Sequence, residues 1–228
     1  MLKFGKPKKG KEDIFVREFL DNNSLFPNDY IVFQEVISDC GIPDIVIATF
    51  DRDKIPNIWN EKRTILNKID YKVLQHISLN QEQNLTKSEL VTSLGYSLGQ
   101  IKGIIKRLVD AYLITEIEGV FKIIESENPF FLRDIISIEA KISDTKGAIK
   151  QAFTNQTFSS KSYIMMPSPN KNNIDLGSSG YITFDGKNAT IEKDAKRNNI
   201  PGSYYSWQIN DYIGQLISNS NDTGINQS

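Results

Sequence analysis

The stretch Ser137-Ile138-Glu139-Ala140-Lys141 places a carboxylate and an ammonium on either side of one alanine, at the end of an apolar run. In a β-strand alternate side chains share a face, so Glu139 and Lys141 are expected side by side, with Ala140 facing the other way. Such a pair can hold a metal ion and a water molecule together. Because the tripeptide is common and is usually a solvated strand edge, its meaning depends on what else converges on it.

The composition limits the chemistry that such a site could use. A single cysteine, Cys40, excludes an intramolecular disulfide and a cysteine-rich zinc site, and a single histidine, His76, argues against a histidine cluster or a histidine-based triad. A metal would therefore bind oxygen ligands, which suits Mg²⁺ or Mn²⁺. The net charge of −1 argues against a uniformly basic nucleic-acid binder but permits a local basic groove.

Neither a long apolar segment nor a signal-peptide pattern is found, so we expect a cytoplasmic protein with no membrane partner. The first eleven residues contain five lysines: Lys3, Lys6, Lys8, Lys9 and Lys11. Two interpretations stay open for this segment. It is a flexible solubilising arm, which is the commoner case, or an arm that contacts phosphates.

A helix from Glu12 is predicted to precede an antiparallel pair of strands, Tyr30 to Ile37 and Ile42 to Phe50. Asp44 follows Pro43 inside the second, otherwise apolar strand. Burying a carboxylate there is unfavourable unless another group pairs with it. Asp44 is therefore a second candidate site residue.

Residues 59–127 form a separate, mainly helical segment. Thr86-Lys87-Ser88-Glu89 and Ser97-Leu98-Gly99-Gln100 are capping boxes that open two helices, and a short hairpin follows around Glu118-Gly119. This order resembles a winged helix-turn-helix domain, in which the third helix docks in the DNA major groove. On that helix the resemblance implies nucleic-acid contacts by four residues: Gln100, Lys102, Lys106 and Arg107. Acidic residues in the predicted wing oppose phosphate binding, so a protein–protein or dimerisation role stays open.

After Pro129 the sequence pattern again predicts both strands and helices. It predicts a strand over 136–142 with Glu139 and Lys141, a helix over about 145–160 capped by Asp144 and carrying Gln151, and a strand over 163–166. A hairpin around Asp185-Gly186 and a last helix over 203–217 follow. The Asn- and Ser-rich tail, 219–228, is predicted to be disordered.

Pro43-Asp44, Glu139-Ala140-Lys141 and Gln151 on the next helix together resemble the PD-(D/E)xK nuclease superfamily. The resemblance implies an α/β fold with a restriction-endonuclease-like mixed central sheet flanked by helices. Asp44 and Glu139 lie 95 positions apart, further than is usual in that family, and removing a winged-helix insert restores the usual spacing. We therefore expect a discontinuous core of 1–58 and 128–218 around an inserted domain of 59–127.

The resemblance also implies roles for individual residues. Asp44, Glu139 and the Ala140 carbonyl would bind Mg²⁺ (or Mn²⁺), Lys141 would orient the attacking water, and Gln151 would hold that water or a flanking phosphate. Glu18 and Glu35 are candidates for a second metal or for orienting Lys141. The chain departs from one family pattern, Gln-x-x-x-Tyr, because Asn155 stands at the last position.

These inferences predict a Mg²⁺-dependent DNA endonuclease of restriction or repair type, with DNA as partner. An inactive nuclease-fold regulator or assembly subunit that binds DNA is the alternative. A third hypothesis assigns the winged helix to homodimer formation while the core acts on DNA ends or junctions.

Overall fold

A computed structural model describes residues 2–6, 9–22, 25–26, 30–39, 41–124, 128–169 and 175–222. It contains seven α-helices and eight strands over those residues. In chain order these are α1 Lys11–Asn22, β1 Tyr30–Gln34, β2 Ile45–Phe50, α2 Ile55–Ile58, α3 Lys68–Leu79, α4 Lys87–Leu94, α5 Leu98–Asp110, β3 Ile114–Ile117, β4 Val120–Ile123, β5 Leu132–Ala140, α6 Thr145–Asn155, β6 Lys161–Met166, β7 Gly180–Phe184, β8 Ala189–Lys193 and α7 Tyr204–Asp222.

The chain divides into two compact units. Among the described residues, the sheet unit comprises those of 2–50 and 132–202, and the helical unit comprises those of 51–131 and 203–222. The sheet unit is thus discontinuous in sequence, with its break after Phe50 and its resumption at Leu132, where the predicted borders were 58 and 128.

The sheet unit is built on a six-stranded mixed sheet in the order β1-β2-β5-β6-β7-β8. The pairs β5–β6 and β6–β7 are parallel, and the other pairs are antiparallel. On one face α1 packs Phe15 and Phe19 against residues such as Ile138, and on the other α6 packs Ala148 and Ala152. The protein is thus mixed α/β, with helices on both faces of a mixed sheet.

The helical unit confirms both predicted capping boxes. Thr86 and Glu89 cap α4, and Ser97 and Gln100 cap α5. Leu98, the first residue of α5, is 49% exposed and lies outside the core face of that helix. The residues of α5 that are buried are Ile101, Ile104, Ile105 and Leu108.

The last helix, α7, belongs to the helical unit, and the prediction that the core runs to residue 218 was wrong there. Polar contacts explain this assignment. The buried Trp207 indole donates to Gln75 on α3, and the Tyr71 hydroxyl of the same helix donates to Asp211. The predicted disordered tail starts too early, since α7 continues to Asp222, and the rest of that tail lies outside the described residues.

Two smaller predictions also change. Strand β2 begins at Ile45, so Asp44 stands just before the strand. Residues 2–6 are not a loose arm, because Phe4 forms a β-bridge with Val36. Cys40 and Lys8 lie outside the described residues. Among the residues that the structure describes, no helix combines the length and apolar character needed to cross a membrane.

Candidate active site

The register of two neighbouring strands brings the two candidate carboxylates together. In the antiparallel pair of β2 and β5, Ile45 is opposite Ile138, and one step further along the register Asp44 faces Glu139. Residues that face each other directly in this way project from the same side of the sheet, with Cβ atoms about 5 Å apart. A hydrophobic register therefore sets the spacing of the acidic pair.

Asp44 lies in a polar cradle formed by the end of β5. Its Oδ2 accepts a hydrogen bond from the Ala140 backbone N–H at 2.7 Å and lies 3.5 Å from the Lys141 Nζ. Burial raises the pKa of the Asp44 carboxyl, and the Lys141 charge and the Ala140 N–H oppose that rise.

Lys141 follows the last residue of β5 and connects three groups. Its Nζ donates to the Ala140 carbonyl at 3.1 Å and lies 3.4 Å from Glu12 Oε2, besides its contact with Asp44. Burial lowers the pKa of Lys141, but the charges of Asp44, Glu12 and Glu139 outweigh burial, so the pKa is raised overall. The side chain is therefore a stable cation and a hydrogen-bond donor.

Glu139 is a carboxylate buried almost completely, with 1% of its surface exposed. Its Oε1 accepts from Asn155 Nδ2 at 2.6 Å, whereas its buried Oε2 has no donor among the described residues. Burial first, and then the Asp44 charge, raise the pKa of Glu139 to about 8. An ionised Glu139 thus has an unsatisfied oxygen beside a second carboxylate, which a proton or a cation would satisfy.

Asp44 and Lys141 line a cleft of about 280 Å³, and Glu139 is not among its lining residues. The residues that line it are Glu12, Asp13, Val16, Gln34, Glu35, Ile42, Asp44, Lys141 and Gln151. The predicted residues Gln151 and Glu35 are therefore at the cleft. Glu35 has a left-handed backbone with φ of 53°, a conformation that costs a non-glycine residue roughly 1–3 kcal/mol and is concentrated at functional sites.

The structure does not bring Glu18 to the cleft, and it places Glu12 there instead. Six residues of α-helix are about 1.7 turns, so the two side chains leave α1 in different directions. Glu18 is exposed, and its carboxylate lies near Gly186 in the β7–β8 turn. Counting the helix period from the buried residues Phe15 and Phe19 would have shown that Glu12 and Glu18 leave the helix in different directions.

Asn155 is the second residue that the sequence interpretation missed. It stands four positions after Gln151, where the family pattern has tyrosine, and it is 2% exposed. On α6 a spacing of four residues keeps both amides on one side of the helix. The residue at this position donates to Glu139 Oε1.

The nucleic-acid candidates on α5 have internal partners in most cases. Arg107 forms a bidentate pair with the buried Asp70, with a closest atom separation of 2.5 Å. Lys106 pairs with Asp110 at 2.7 Å, and Gln100 accepts from the Ser97 N–H in the capping box. Lys102 is exposed and has no ion pair within the described part of the chain.

No protein-family model, curated protein or solved structure matches this chain.

Proposed function

We propose that the protein is a Mg²⁺-dependent nuclease that hydrolyses phosphodiester bonds in DNA. The observation that carries this proposal is the facing pair of half-buried Asp44 and buried Glu139, with one Glu139 oxygen lacking a donor among the described residues and the Lys141 ammonium beside Asp44. The mixed sheet, with this trio at the end of β5, supports a restriction-endonuclease-like core. The order of α3, α4, α5 and the β3–β4 hairpin supports a winged-helix arrangement in the helical unit.

The donor set fits Mg²⁺ or Mn²⁺. The described residues contain no cluster of three or more His, Cys, Asp or Glu side chains able to hold a metal. Mg²⁺ typically uses one or two carboxylates, several waters and substrate phosphate oxygens, so a dedicated protein cage is not needed. Asp44 and Glu139 would supply the carboxylates, and the Ala140 carbonyl keeps a lone pair besides the one that faces Lys141.

A bound Mg²⁺ supplies Lewis-acid activation of water and neutralises charge on the phosphate. The residues of the chain supply the positioning. Lys141, held by Glu12 and the Ala140 carbonyl, can donate to the attacking water or to a non-bridging phosphate oxygen. Because it stays protonated, its role is to orient and to stabilise negative charge, and it does not serve as a general base. Gln151 can donate its amide to the same water or to a neighbouring phosphate.

The direct test is cleavage of supercoiled plasmid DNA with Mg²⁺ or with EDTA, by the wild type and by Asp44→Asn. We expect nicking or linearisation by the wild type in Mg²⁺ only, and a loss of at least about 100-fold in the variant, since removing one preorganised charge-stabilising group costs that much. Exposed Asp53→Asn in the helical unit is the matched control and should cleave normally. Tight DNA binding with no Mg²⁺-dependent cleavage would favour the inactive regulator instead.

Asn155 is expected to act through Glu139. Asn155→Ala removes the donor to Oε1, so the apparent Mn²⁺ affinity measured by titration calorimetry should fall by about 10–100-fold, as for other residues that orient a metal ligand. Thr154→Ala is the control, because the Thr154 hydroxyl donates only to the Lys150 carbonyl of its own helix. Equal Mn²⁺ affinities for the two variants would show that Asn155 does not position Glu139.

A further inference from the structure

The cleft carries an excess of negative charge that its own lysine does not offset. Its lining includes four carboxyl groups, from Glu12, Asp13, Glu35 and Asp44, and one ammonium, from Lys141. Arg17 pairs with Asp13, but its side chain is 62% exposed. A polyanion that approaches such a surface is repelled unless further cations stand along its path.

The lysine-rich start of the chain lies beside this cleft. The Gly5 N–H donates to the carbonyl of the cleft residue Glu35 at 2.7 Å, and the Ile37 N–H donates to the Lys3 carbonyl at 2.9 Å. Leu2 is buried at 6% exposure, and the Phe4 ring lies 6.0 Å from that of Phe33. Residues 2–6 are therefore fixed along the extension of β1 that borders the cleft.

Three described lysines lie beside this fixed segment or at the start of α1. Lys6 follows Gly5, Lys9 stands two residues before α1, and Lys11 is the first residue of α1, next to the cleft residue Glu12. All three are exposed, and none takes part in an ion pair among the described residues. Gly5, which precedes Lys6, hydrogen-bonds to the cleft residue Glu35, and Lys11 precedes the cleft residue Glu12.

We propose that Lys6, Lys9 and Lys11, here named the lysine rim, bind backbone phosphates of the nucleic acid whose scissile phosphate enters the cleft. This inference rests on the proposed nuclease function and assigns the substrate-holding surface to the sheet unit. A segment whose neighbouring backbone is already fixed loses little conformational entropy on binding, so its phosphate contacts are stronger than those of a loose arm. Phosphate contacts of this kind set affinity and position, and they carry no sequence information.

The test is the salt dependence of duplex DNA binding by the full chain, measured by fluorescence anisotropy in EDTA so that hydrolysis does not proceed. The variants are the triple substitution K6Q/K9Q/K11Q and a matched control, K187Q/K193Q/K196Q, which removes three exposed lysines near the opposite edge strand β8. Each phosphate contact on B-DNA contributes about 0.9 to the slope of log K against log salt, so the rim variant should have a slope smaller by about 2.7. Between 50 and 200 mM salt the wild type should then lose roughly 40-fold more affinity than the rim variant.

An unchanged slope in the control together with the smaller slope in the rim variant would support the proposal. Equal slopes for the wild type and the rim variant, or equal reductions in both triple variants, would overturn it. If the wild type cleaves plasmid in the presence of Mg²⁺ but has the same salt slope as the rim variant, the lysine rim is contradicted and the proposed hydrolysis is not. The predicted slope change without any cleavage would keep the rim as a DNA surface and contradict the proposed hydrolysis.

Discussion

Replacing Glu139 with glutamine is expected to abolish Mg²⁺-dependent cleavage and, at the same time, to stabilise the metal-free fold. The loss of activity follows because the amide cannot serve as an anionic metal ligand. Losing about 4 kcal/mol of transition-state charge stabilisation slows a reaction by about 10³-fold. The gain in stability follows because the amide can keep the Asn155 contact through its oxygen and donate to Asp44 through its nitrogen, where the carboxylate has an unsatisfied oxygen.

The stability effect should depend on pH in one direction. The pKa of Glu139 is about 8 in the folded protein against an ordinary value of 4.5, so between these values the folded state binds more protons than the unfolded state. The free energy of unfolding of the wild type therefore falls as pH rises through that window, by up to about 1.4 kcal/mol for each pH unit, and levels off above pH 8. At pH 7 the glutamine variant should be more stable by on the order of 3 kcal/mol.

Urea unfolding of both proteins in EDTA, at about pH 5 and again at the pH of 8 where Glu139 titrates, measures this difference. The gap between the two unfolding curves should widen toward the higher pH. Mn²⁺ should stabilise the wild type at the higher pH and leave the variant unchanged, because it binds the ionised pair. If the free energies of unfolding of the two proteins change in parallel with pH, the raised pKa of Glu139 is contradicted.

A second large effect is expected in the helical unit, from Asp211→Ala. The Arg63 guanidinium is fully buried, and its Nη1 lies 3.2 Å from Asp211 Oδ1. Removing the carboxylate leaves a buried cation whose remaining partners among the described residues are backbone carbonyls, such as that of Ala111, which typically costs 3–5 kcal/mol. For a protein of this size such a loss corresponds to a decrease in Tm of roughly 10 °C.

Calorimetric or circular-dichroism melting of Asp211→Ala provides the measurement. The exposed pair of Lys106 and Asp110 gives the control, since Asp110→Ala should leave the melting temperature almost unchanged. The double substitution R63M/D211L should recover much of the lost stability, because apolar side chains fill the space without an unpaired charge. A small effect of Asp211→Ala on the melting temperature would mean that the hydrogen bonds from Arg63 to backbone carbonyls are enough to stabilise the buried guanidinium.

Local signals in the sequence predicted much of the architecture. The capping boxes at Thr86 and Ser97 and the Asp185-Gly186 turn depend only on neighbouring residues, and each is found where predicted. The assignment of α7 failed because its apolar face fits either unit. Only tertiary contacts, such as that of Trp207 with Gln75, decide between them.

The candidate site divides in the same way. Asp44 could be proposed as a site residue because a carboxylate among apolar strand residues is unfavourable without a partner. Glu139 and Lys141 were proposed because their tripeptide, together with Pro43-Asp44, resembles a nuclease motif. Glu12 could not be identified, since its contact with Lys141 links residues 129 positions apart. Asn155 was noted only because it stands where the Gln-x-x-x-Tyr pattern has tyrosine. A single sequence does not show which group a buried amide contacts.

The border between β2 and β5 has a consequence for the order of folding. Phe50 pairs with Leu132 at the end of that ladder, so the whole segment between them must close before Asp44 can meet Glu139. Closing a flexible loop of that length costs about 4 kcal/mol on the (3/2)RT ln n estimate. Within the helical unit the Asp51 N–H already donates to the Phe131 carbonyl at 3.0 Å, so folding of that unit brings the two ends together. Folding of the helical unit is therefore expected to lower the entropic cost of pairing Phe50 with Leu132, and so of bringing Asp44 to Glu139.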